Sequence, residues 1–475
     1  MNFNQYVDIP SNLFTEDELE LKKQCLEQIT SHAQINRQRS DAYDAKQFIQ
    51  HFDISVPPQM KQVSTVLGWP AKAVDLFEGL LELDGFVVPG HESADYGLDA
   101  IEAENRLSVE LPQVHTTALK YGCAFLAVMA GMEGEPAAVV RGLSPTNSTL
   151  LWDRNRRRAR AALTMSVDEV TEDASFALFL DTHTVFGFRT GGSWEVERLV
   201  HSLGEVPVTL VPFKPSLEDP FGRSRISKAV LSITARAVRT LLRMEVGAEF
   251  YSAPQRAILG LGKEDFEDET GKAPSSWEFA LNKMLLLPSN LEGQLPQIQQ
   301  FAQATMQPHI DMLRADAALF AGETNIPVNV LGIIHDNPAS DAAMHTAYLA
   351  LNKDAERAQA TFGAGVVKAM QLAWRINNGG EMLPPELHKL QANYRDPDTP
   401  TRAAMAQAVV SQVQSGVLPA VSPTTYKLLG YDNPIIESLM AEARRNSGSF
   451  SLLDLAAKQA QDESGQTTPT PLVES

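Results

Sequence analysis

The basic residues between positions 220 and 243 form the clearest chemical pattern in the sequence. Arg236, Arg239 and Arg243 are spaced three and four residues apart, so a helix would place them in one stripe. A stripe of this kind is most often a solvated helix face, but it could also contact phosphate groups or acidic neighbours. The stretch contains no acidic residue, and its cations are Arg223, Arg225, Lys228, Arg236, Arg239 and Arg243.

A second basic cluster falls where the sequence predicts a turn between two strands. Taken alone, it is equally consistent with a solvated surface turn and with a contact to acidic groups on an adjacent subunit. Its members are Arg154, Arg156, Arg157, Arg158 and Arg160.

Sequence patterns of common enzymes and metal sites are not found. Neither HExxH nor GxSxG occurs, and residues 260–263 (GLGK) lack the earlier glycine and the following Ser or Thr of a phosphate loop. The acidic run 264–269 resembles a calcium loop in composition only, because Thr270 and Ser276 stand where Gly and Glu are required. The histidines show no ligand spacing. The missing patterns do not by themselves exclude an enzyme, because catalytic groups can be distant in sequence.

The overall charge restricts the possible partners. Lys and Arg total 40 against 59 Asp and Glu, which gives a formal net charge of −19. This balance argues against a protein that coats nucleic acid over most of its surface, although a local basic strip remains compatible with it. Cys25 and Cys123 belong to no CxxC pair and predict buried thiols in a reducing compartment. No signal peptide or membrane-spanning run is predicted.

The first 220 residues predict a mixed region of helices and strands. Thr15 is a predicted helix N-cap, and Glu18 stands at the capping-box position. Residues 70–82 predict a second helix with Pro70 at its first position. From position 124, seven short apolar or alternating runs separated by turn residues predict a mostly antiparallel sheet, and the α+β unit is expected to end near Pro212.

The second half is predicted to be mainly helical. Helices are expected at 221–250, at 300–321 with its end at Gly322, at 342–376 and within 400–445. The third of these is long enough to cross more than one layer of an assembly. Its apolar stripe comprises Tyr348, Leu351, Ala355, Ala358, Phe362, Val366, Met370 and Trp374.

An ordered set of short segments across residues 55–435 resembles a known family, the portal proteins of tailed double-stranded DNA bacteriophages of the siphophage type. Within residues 222–226, Arg225 replaces the acidic residue that is usual in the family. The segments are 73–80 (AVDLFEGL), 118–126 (ALKYGCAFL), 204–213 (GEVPVTLVPF), 222–226 (GRSRI), 250–260 (FYSAPQRAILG), 394–401 (YRDPDTPT), 416–419 (GVLP) and 428–431 (LLGY).

The resemblance implies an α+β portal fold with a mixed wing domain, a helical stem, a small α/β clip, a long kinked wing helix and a helical crown. By position, the implied regions are wing 1–220, stem helix one 221–251, clip 252–298, stem helix two 299–325, tunnel loop 326–341, long helix and C-terminal wing 342–399, and crown with a disordered tail 400–475.

The resemblance also implies a function, that of a DNA conduit that is not an enzyme and uses no cofactor or metal. A portal forms a ring, expected to be dodecameric, at a unique capsid vertex, and double-stranded DNA passes through it during packaging and ejection. The implied partners are terminase large subunit, head–tail adaptor, and major capsid and scaffolding proteins; assembly is expected in the host cytoplasm, with no membrane partner. Asn329, His335, Asn337 and Ser340 join the six basic residues as DNA-channel candidates. The alternative is another ring-forming virion protein, such as a head–tail adaptor.

Overall fold

The computed structural model of the chain describes residues 9–46, 65–91, 93–167, 173–190, 193–252, 256–259, 297–300, 305–332, 341–398, 402–431 and 435–445. The chain divides into two compact units, residues 1–397 and residues 398–475.

Helices form much of both units. In the first unit they are α1 (Glu16–Tyr43), α2 (Trp69–Glu78), α3 (Leu98–Glu104), α4 (Leu107–Tyr121), α5 (Lys228–Ser252), α6 (Gln307–Thr324) and α7 (Asp341–Asn377). The second unit contains α8 (Arg402–Gln414), α9 (Pro423–Leu428) and a helix at residues 435–445. The described part of the second unit is thus helical, as the sequence predicts.

Every strand of the described sheets pairs in antiparallel fashion, and the α+β class is confirmed. Sheets of three, five, two and two strands have the orders β3-β2-β9, β4-β5-β6-β7-β8, β1-β12 and β10-β11. The strands are β1 (Leu83–Val87), β2 (Cys123–Ala130), β3 (Ala138–Leu143), β4 (Ser148–Asp153), β5 (Arg158–Val167), β6 (Ala174–Phe179), β7 (His183–Thr190), β8 (Ser193–Val200), β9 (Val208–Pro212), β10 (Arg256–Leu259), β11 (Gln297–Gln300) and β12 (Gln391–Tyr394).

The core of the first unit is built in layers because successive strand side chains point to opposite faces. In β2, Phe125 packs toward the five-stranded sheet, whereas Leu126 packs toward the helices. In β6, Phe179 faces the three-stranded sheet and Leu178 faces α1. The order of layers is therefore α1, the five-stranded sheet, the three-stranded sheet, and the helical layer that contains α4 and α7.

The start of α1 confirms the predicted capping box. The Thr15 hydroxyl accepts from the Glu18 amide, and the Glu18 carboxylate accepts from the Thr15 amide. The Glu18 side chain is buried, where it also accepts from Arg198 Nη2 at 2.7 Å and contacts His183 Nε2 at 2.9 Å. These contacts, the Arg198 hydrogen bond above all, lower the pKa of Glu18 to about 2.

Helix α7 is a continuous helix of 37 residues, roughly 55 Å long. Its predicted apolar stripe is confirmed, since Leu351 through Trp374 at these positions are buried and Tyr348 packs partly against them. Gly365 lets the helix approach β9 closely, because a Cβ there would lie 2.4 Å from the Leu210 carbonyl oxygen. The Thr209 hydroxyl donates to the Gly365 carbonyl at 3.0 Å across this contact.

Three helices have boundaries that differ from the predicted ones. Helix α2 begins at Trp69 and ends at Glu78, so Pro70 lies one position inside its first turn. Helix α5 begins only at Lys228, because the backbone of the preceding residues bonds to other elements: Arg223 to Phe213 and Arg225 to Leu119. Helix α6 begins at Gln307 and runs through Gly322 to Thr324, where Asn325 adopts the left-handed conformation that ends it.

Both cysteines are free and buried, as predicted. Burial raises the pKa of each thiol to about 12, so neither is a reactive thiolate near neutral pH. Among the helices that the structure describes, none is long and apolar enough to cross a membrane.

Candidate functional site

The helices α5 and α6 pack side by side and run in opposite directions. Ser227 Oγ donates to Glu323 Oε1, and nine residues further along α5 Arg236 pairs with Asp316. The strands β10 and β11 continue the same antiparallel pairing, with Arg256 opposite Gln300 and Leu259 opposite Gln297. The described residues of the segment 227–324, here named the hairpin, therefore leave and re-enter the rest of the first unit, here named the body, at neighbouring points.

Arg225 holds the two ends of the hairpin to the body. Its Nε atom donates to the Ala73 carbonyl of α2, and its Nη2 atom donates to the Thr324 carbonyl of α6, each at 2.6 Å. Its guanidinium lies 4.2 Å from the centre of the Phe77 ring. Burial lowers the pKa of Arg225 to about 10, so the side chain is still protonated at neutral pH.

This placement corrects the expectation that Arg225 lines a DNA channel. Only 7% of the residue is exposed, and its donors point to carbonyls of two helices. One of these, the Thr324 carbonyl, belongs to the last turn of α6 and has no acceptor role within its own helix. The replacement of an acidic residue by Arg225 thus adds a buried link between elements rather than surface charge.

Arg236 forms an ion pair inside the hairpin. Its guanidinium contacts Asp316 Oδ1 at 2.5 Å, and the Asp316 side chain is 2% exposed whereas that of Arg236 is 41% exposed. A buried carboxylate needs such a partner, because desolvation of an unpaired charge is costly. Arg236 therefore stabilises the packing of α5 on α6 while one edge of its guanidinium still reaches solvent.

The other candidate residues are distributed as follows. Arg223, Lys228 and Arg243 are exposed, and Asn329 is exposed in the short 3-10 turn Val328–Leu331. Arg239 is half-buried on α5. His335, Asn337 and Ser340 lie outside the described residues. The six basic candidates thus separate into the buried Arg225, the ion-paired Arg236, the half-buried Arg239 and three exposed cations.

Sequence reasoning missed a polar cluster where the hairpin returns to the body. Asp354 Oδ2 of α7 accepts from Lys214 Nζ at 2.7 Å and from Asn325 Nδ2 at 3.0 Å. Burial acts to raise the pKa of Asp354, but these two donors and the nearby Arg225 guanidinium outweigh it, so the pKa is lowered. The three residues are far apart in sequence, and only the fold brings them together.

The second basic cluster, here named the arginine turn, has Arg154, Arg156 and Arg157 in the predicted turn between β4 and β5, and Arg158 and Arg160 at the start of β5. It borders a groove of about 830 Å³. Arg154, Arg157 and Arg158 line one side of this groove. Segments of β9, of the loop 215–220 and of α7 form the other walls. The groove has no cluster of carboxylate, histidine or cysteine ligands, since none of three or more occurs in the described part of the chain.

A model of the family "Phage portal protein, SPP1 Gp6-like" matches residues 22–422 of the chain. The chain belongs to this family. It is 30% identical to the portal protein of Mycobacterium phage L5 over 383 residues, and this aligned region covers 79% of this chain and 78% of that protein. It is also 30% identical over 388 residues to the portal protein of Mycobacterium phage D29, covering 80% of this chain and 79% of that one.

Solved structures of lower similarity were also found. A chain from the neck of an empty GTA particle computed with C6 symmetry has a TM-score of 0.45 and 12% identity. A chain from the neck of a native GTA particle computed with C12 symmetry has a TM-score of 0.41 and 13% identity. Each comparison covers 77% of this portal protein and 90% of the other chain.

Family membership confirms the predicted class of protein. A phage portal protein is a structural component of the virion and not an enzyme, in agreement with the sequence analysis. It also decides against the alternative of a head–tail adaptor.

Proposed function

We propose that this portal protein forms a dodecameric ring at one capsid vertex, through which double-stranded DNA is packaged and later ejected. The observation that carries the proposal is the hairpin of α5 and α6, joined to the body at one end by Arg225 and bearing exposed cations on α5. In such a ring, the hairpins of neighbouring copies would stand side by side as the stem around the DNA.

The proposed regions follow the chain order given by the resemblance, with the helix bounds of the structure. The wing comprises the body, the stem comprises α5 and α6, and the clip begins and ends at the paired strands β10 and β11. The tunnel loop follows α6, and the second unit is the crown. The clip is the proposed docking point for the terminase large subunit and later for the head–tail adaptor. Major capsid and scaffolding proteins are the partners proposed for assembly in the host cytoplasm.

The proposed DNA-facing residues are Arg223, Lys228, Arg243 and Asn329, because their side chains are exposed. Arg239, half-buried on the same helix, remains in the proposed set, as do His335, Asn337 and Ser340 of the tunnel loop. The low cation content suits a conduit. Affinity for DNA grows with the number of phosphates neutralised, so an acidic chain of net charge −19 with a few local cations would let the duplex slide.

Electron microscopy of the purified protein tests the ring directly, and a gene deletion tests the role. Loss of a portal should leave heads without DNA, and the wild-type gene supplied in trans should restore filled heads. Filled but tailless heads in the deletion strain would refute the proposal.

A further inference from the structure

The arginine turn between β4 and β5 concentrates positive charge that the chain itself leaves almost uncompensated. All five arginines of the turn are exposed, and none forms an ion pair with a residue that the structure describes. Asp153 is the acidic neighbour. Its carboxylate accepts from the backbone amides of Asn155 and Arg156 at 2.9 and 3.1 Å, which fixes the turn.

The groove beside this turn has the character of an interface. Its floor is largely apolar and includes Val208 and Leu210 of β9 and Ala364 and Leu372 of α7. Leu217, also in its lining, is 93% exposed, a high value for a large aliphatic side chain. An apolar surface with a charged rim is the usual anatomy of a protein contact. The one carboxylate in the lining, Glu205, already pairs with Lys368 and Arg375, which leaves the arginines as the uncompensated charge. The occupant should therefore bring acidic groups.

An acidic stripe on another element of the body has the matching charge. Asp75, Glu78 and Glu82 follow one another at intervals of three and four residues along α2 and the turn after it. Burial raises the pKa of Glu78, and the carboxylates of Asp75 and Glu82 raise it further. Glu82 pairs with Arg395 at 2.8 Å, and Asp75 accepts from the Tyr43 hydroxyl. The three carboxylates nevertheless still repel one another.

We infer that the arginine-lined groove of one copy binds the acidic stripe of the next copy in the ring. The inference rests on the proposed ring function and names one of its subunit contacts. The two surfaces are different patches of the same chain, so their association is head to tail, which is the kind of contact that closes into a ring. It also gives subunits of net charge −19 a local attraction that offsets their general repulsion.

Charge reversal on each side, separately and together, tests this contact. The variants are Arg154→Glu with Arg158→Glu, Asp75→Lys with Glu78→Lys, and the fourfold combination. Ring formation is measured by light scattering after gel filtration and by negative-stain electron microscopy. Each double variant should associate at least about tenfold more weakly than wild type, with unchanged circular dichroism. The fourfold variant should regain rings, because it restores attraction with the signs exchanged.

A matched control carries the same change in net charge on α1, where Lys23 and Arg37 are exposed. Lys23→Glu with Arg37→Glu should leave ring formation unchanged. If a double variant loses its circular dichroism spectrum, Arg154→Gln with Arg158→Gln replaces it and should still weaken the ring.

The outcomes separate the contact from the proposed function. Wild-type rings that persist in both double variants, or a fourfold variant that stays dissociated, would overturn the contact and leave the ring intact. Normal rings with reduced DNA packaging in Arg154→Glu with Arg158→Glu would mean that the groove serves DNA, which also overturns it. A wild-type protein without rings would overturn the proposed function and this contact together.

Discussion

The body and the hairpin of this portal protein differ in how completely their own side chains cover them, although both contain buried polar atoms without a partner among the described residues. In the body, the buried carboxylate of Glu18 receives Arg198 and His183 from strands more than 160 residues away. In the hairpin, Asp316 has Arg236 on one oxygen, while its Oδ2 atom is buried without a partner among the described residues. In α6 the buried side chains begin only at Asp316, so the first half of this helix, from Gln307 to Ala315, contributes no buried side chain.

This difference shows which region of the fold is packed by the residues of one subunit alone. The body closes its layers with its own residues, and its stability should be a property of the subunit. The hairpin packs on the body near Arg225. Further from Arg225 it has fewer buried side chains, and Leu242 and Val246 form a small separate cluster there. In the proposed ring, neighbouring hairpins would cover what one chain leaves open.

Truncation of Phe362 should give the largest effect and tests whether the body is self-sufficient. This side chain is fully buried on α7 and stacks on His115 with ring centres 5.1 Å apart. Phe362→Ala should lower the free energy of unfolding by about 3–5 kcal/mol, measured with urea at one fixed protein concentration. Leu242→Ala in the hairpin is the comparison and should cost less, because its small cluster can collapse. Equal losses would remove the contrast between the two regions.

Removal of Arg225 tests the junction between the two regions. Arg225→Ala leaves the Ala73 and Thr324 carbonyls without their charged donor and removes the contact with Phe77. We expect a loss of roughly 3 kcal/mol, since hydrogen bonds to charged groups contribute about 1.5–3 kcal/mol each. Limited proteolysis should then cleave the hairpin before the body. Arg225→Lys retains the charge and should recover part of the stability; a wild-type urea midpoint for Arg225→Ala would refute the link.

Arg225 also illustrates how far the sequence could predict this molecule. The antiparallel strands, the Thr15 capping box and the apolar stripe of α7 follow from local periodicity, and all were predicted. The burial of Arg225 was not, because charge pattern alone does not distinguish a cation facing solvent from one that caps carbonyls of distant helices. The cluster of Lys214, Asn325 and Asp354 was missed for the same reason: its members meet only through tertiary structure.

Acidification should weaken the body through His115, which is fully buried on α4. Its Nε2 atom contacts the Tyr394 hydroxyl at 3.2 Å, and burial lowers its pKa to about 4. The unfolded imidazole binds a proton below about pH 6.5, whereas the folded one does not until about pH 4. The unfolded state therefore binds more protons in this window, and stability should fall by up to about 3 kcal/mol as the pH drops through it.

The measurement is the free energy of unfolding between pH 7.5 and pH 4. The variant His115→Phe retains an aromatic ring against Phe362 and removes the titrating group, so its stability should vary less over the same range. Glu18 adds a separate loss at lower pH, since its folded pKa of about 2 lies below its usual value. An unchanged slope in His115→Phe would show that other groups control the acid response.

The smallest expected effects separate structural cations of the hairpin from DNA-facing ones. Arg236→Met leaves Asp316 buried without its partner and should cost about 1–2 kcal/mol in urea unfolding. Lys228→Met with Arg243→Met alters exposed side chains and should change stability by no more than about 0.5 kcal/mol. In a complementation assay, however, the Lys228 and Arg243 variant should package less DNA, because phosphate contacts depend on cations that reach solvent.

Arg236→Gln is the control for the Arg236→Met variant: it keeps a hydrogen-bond donor near Asp316 and should restore part of the stability. If Lys228→Met with Arg243→Met packages DNA at wild-type levels, the exposed cations of α5 serve solubility, and the hairpin's contribution to the channel must come from its shape alone.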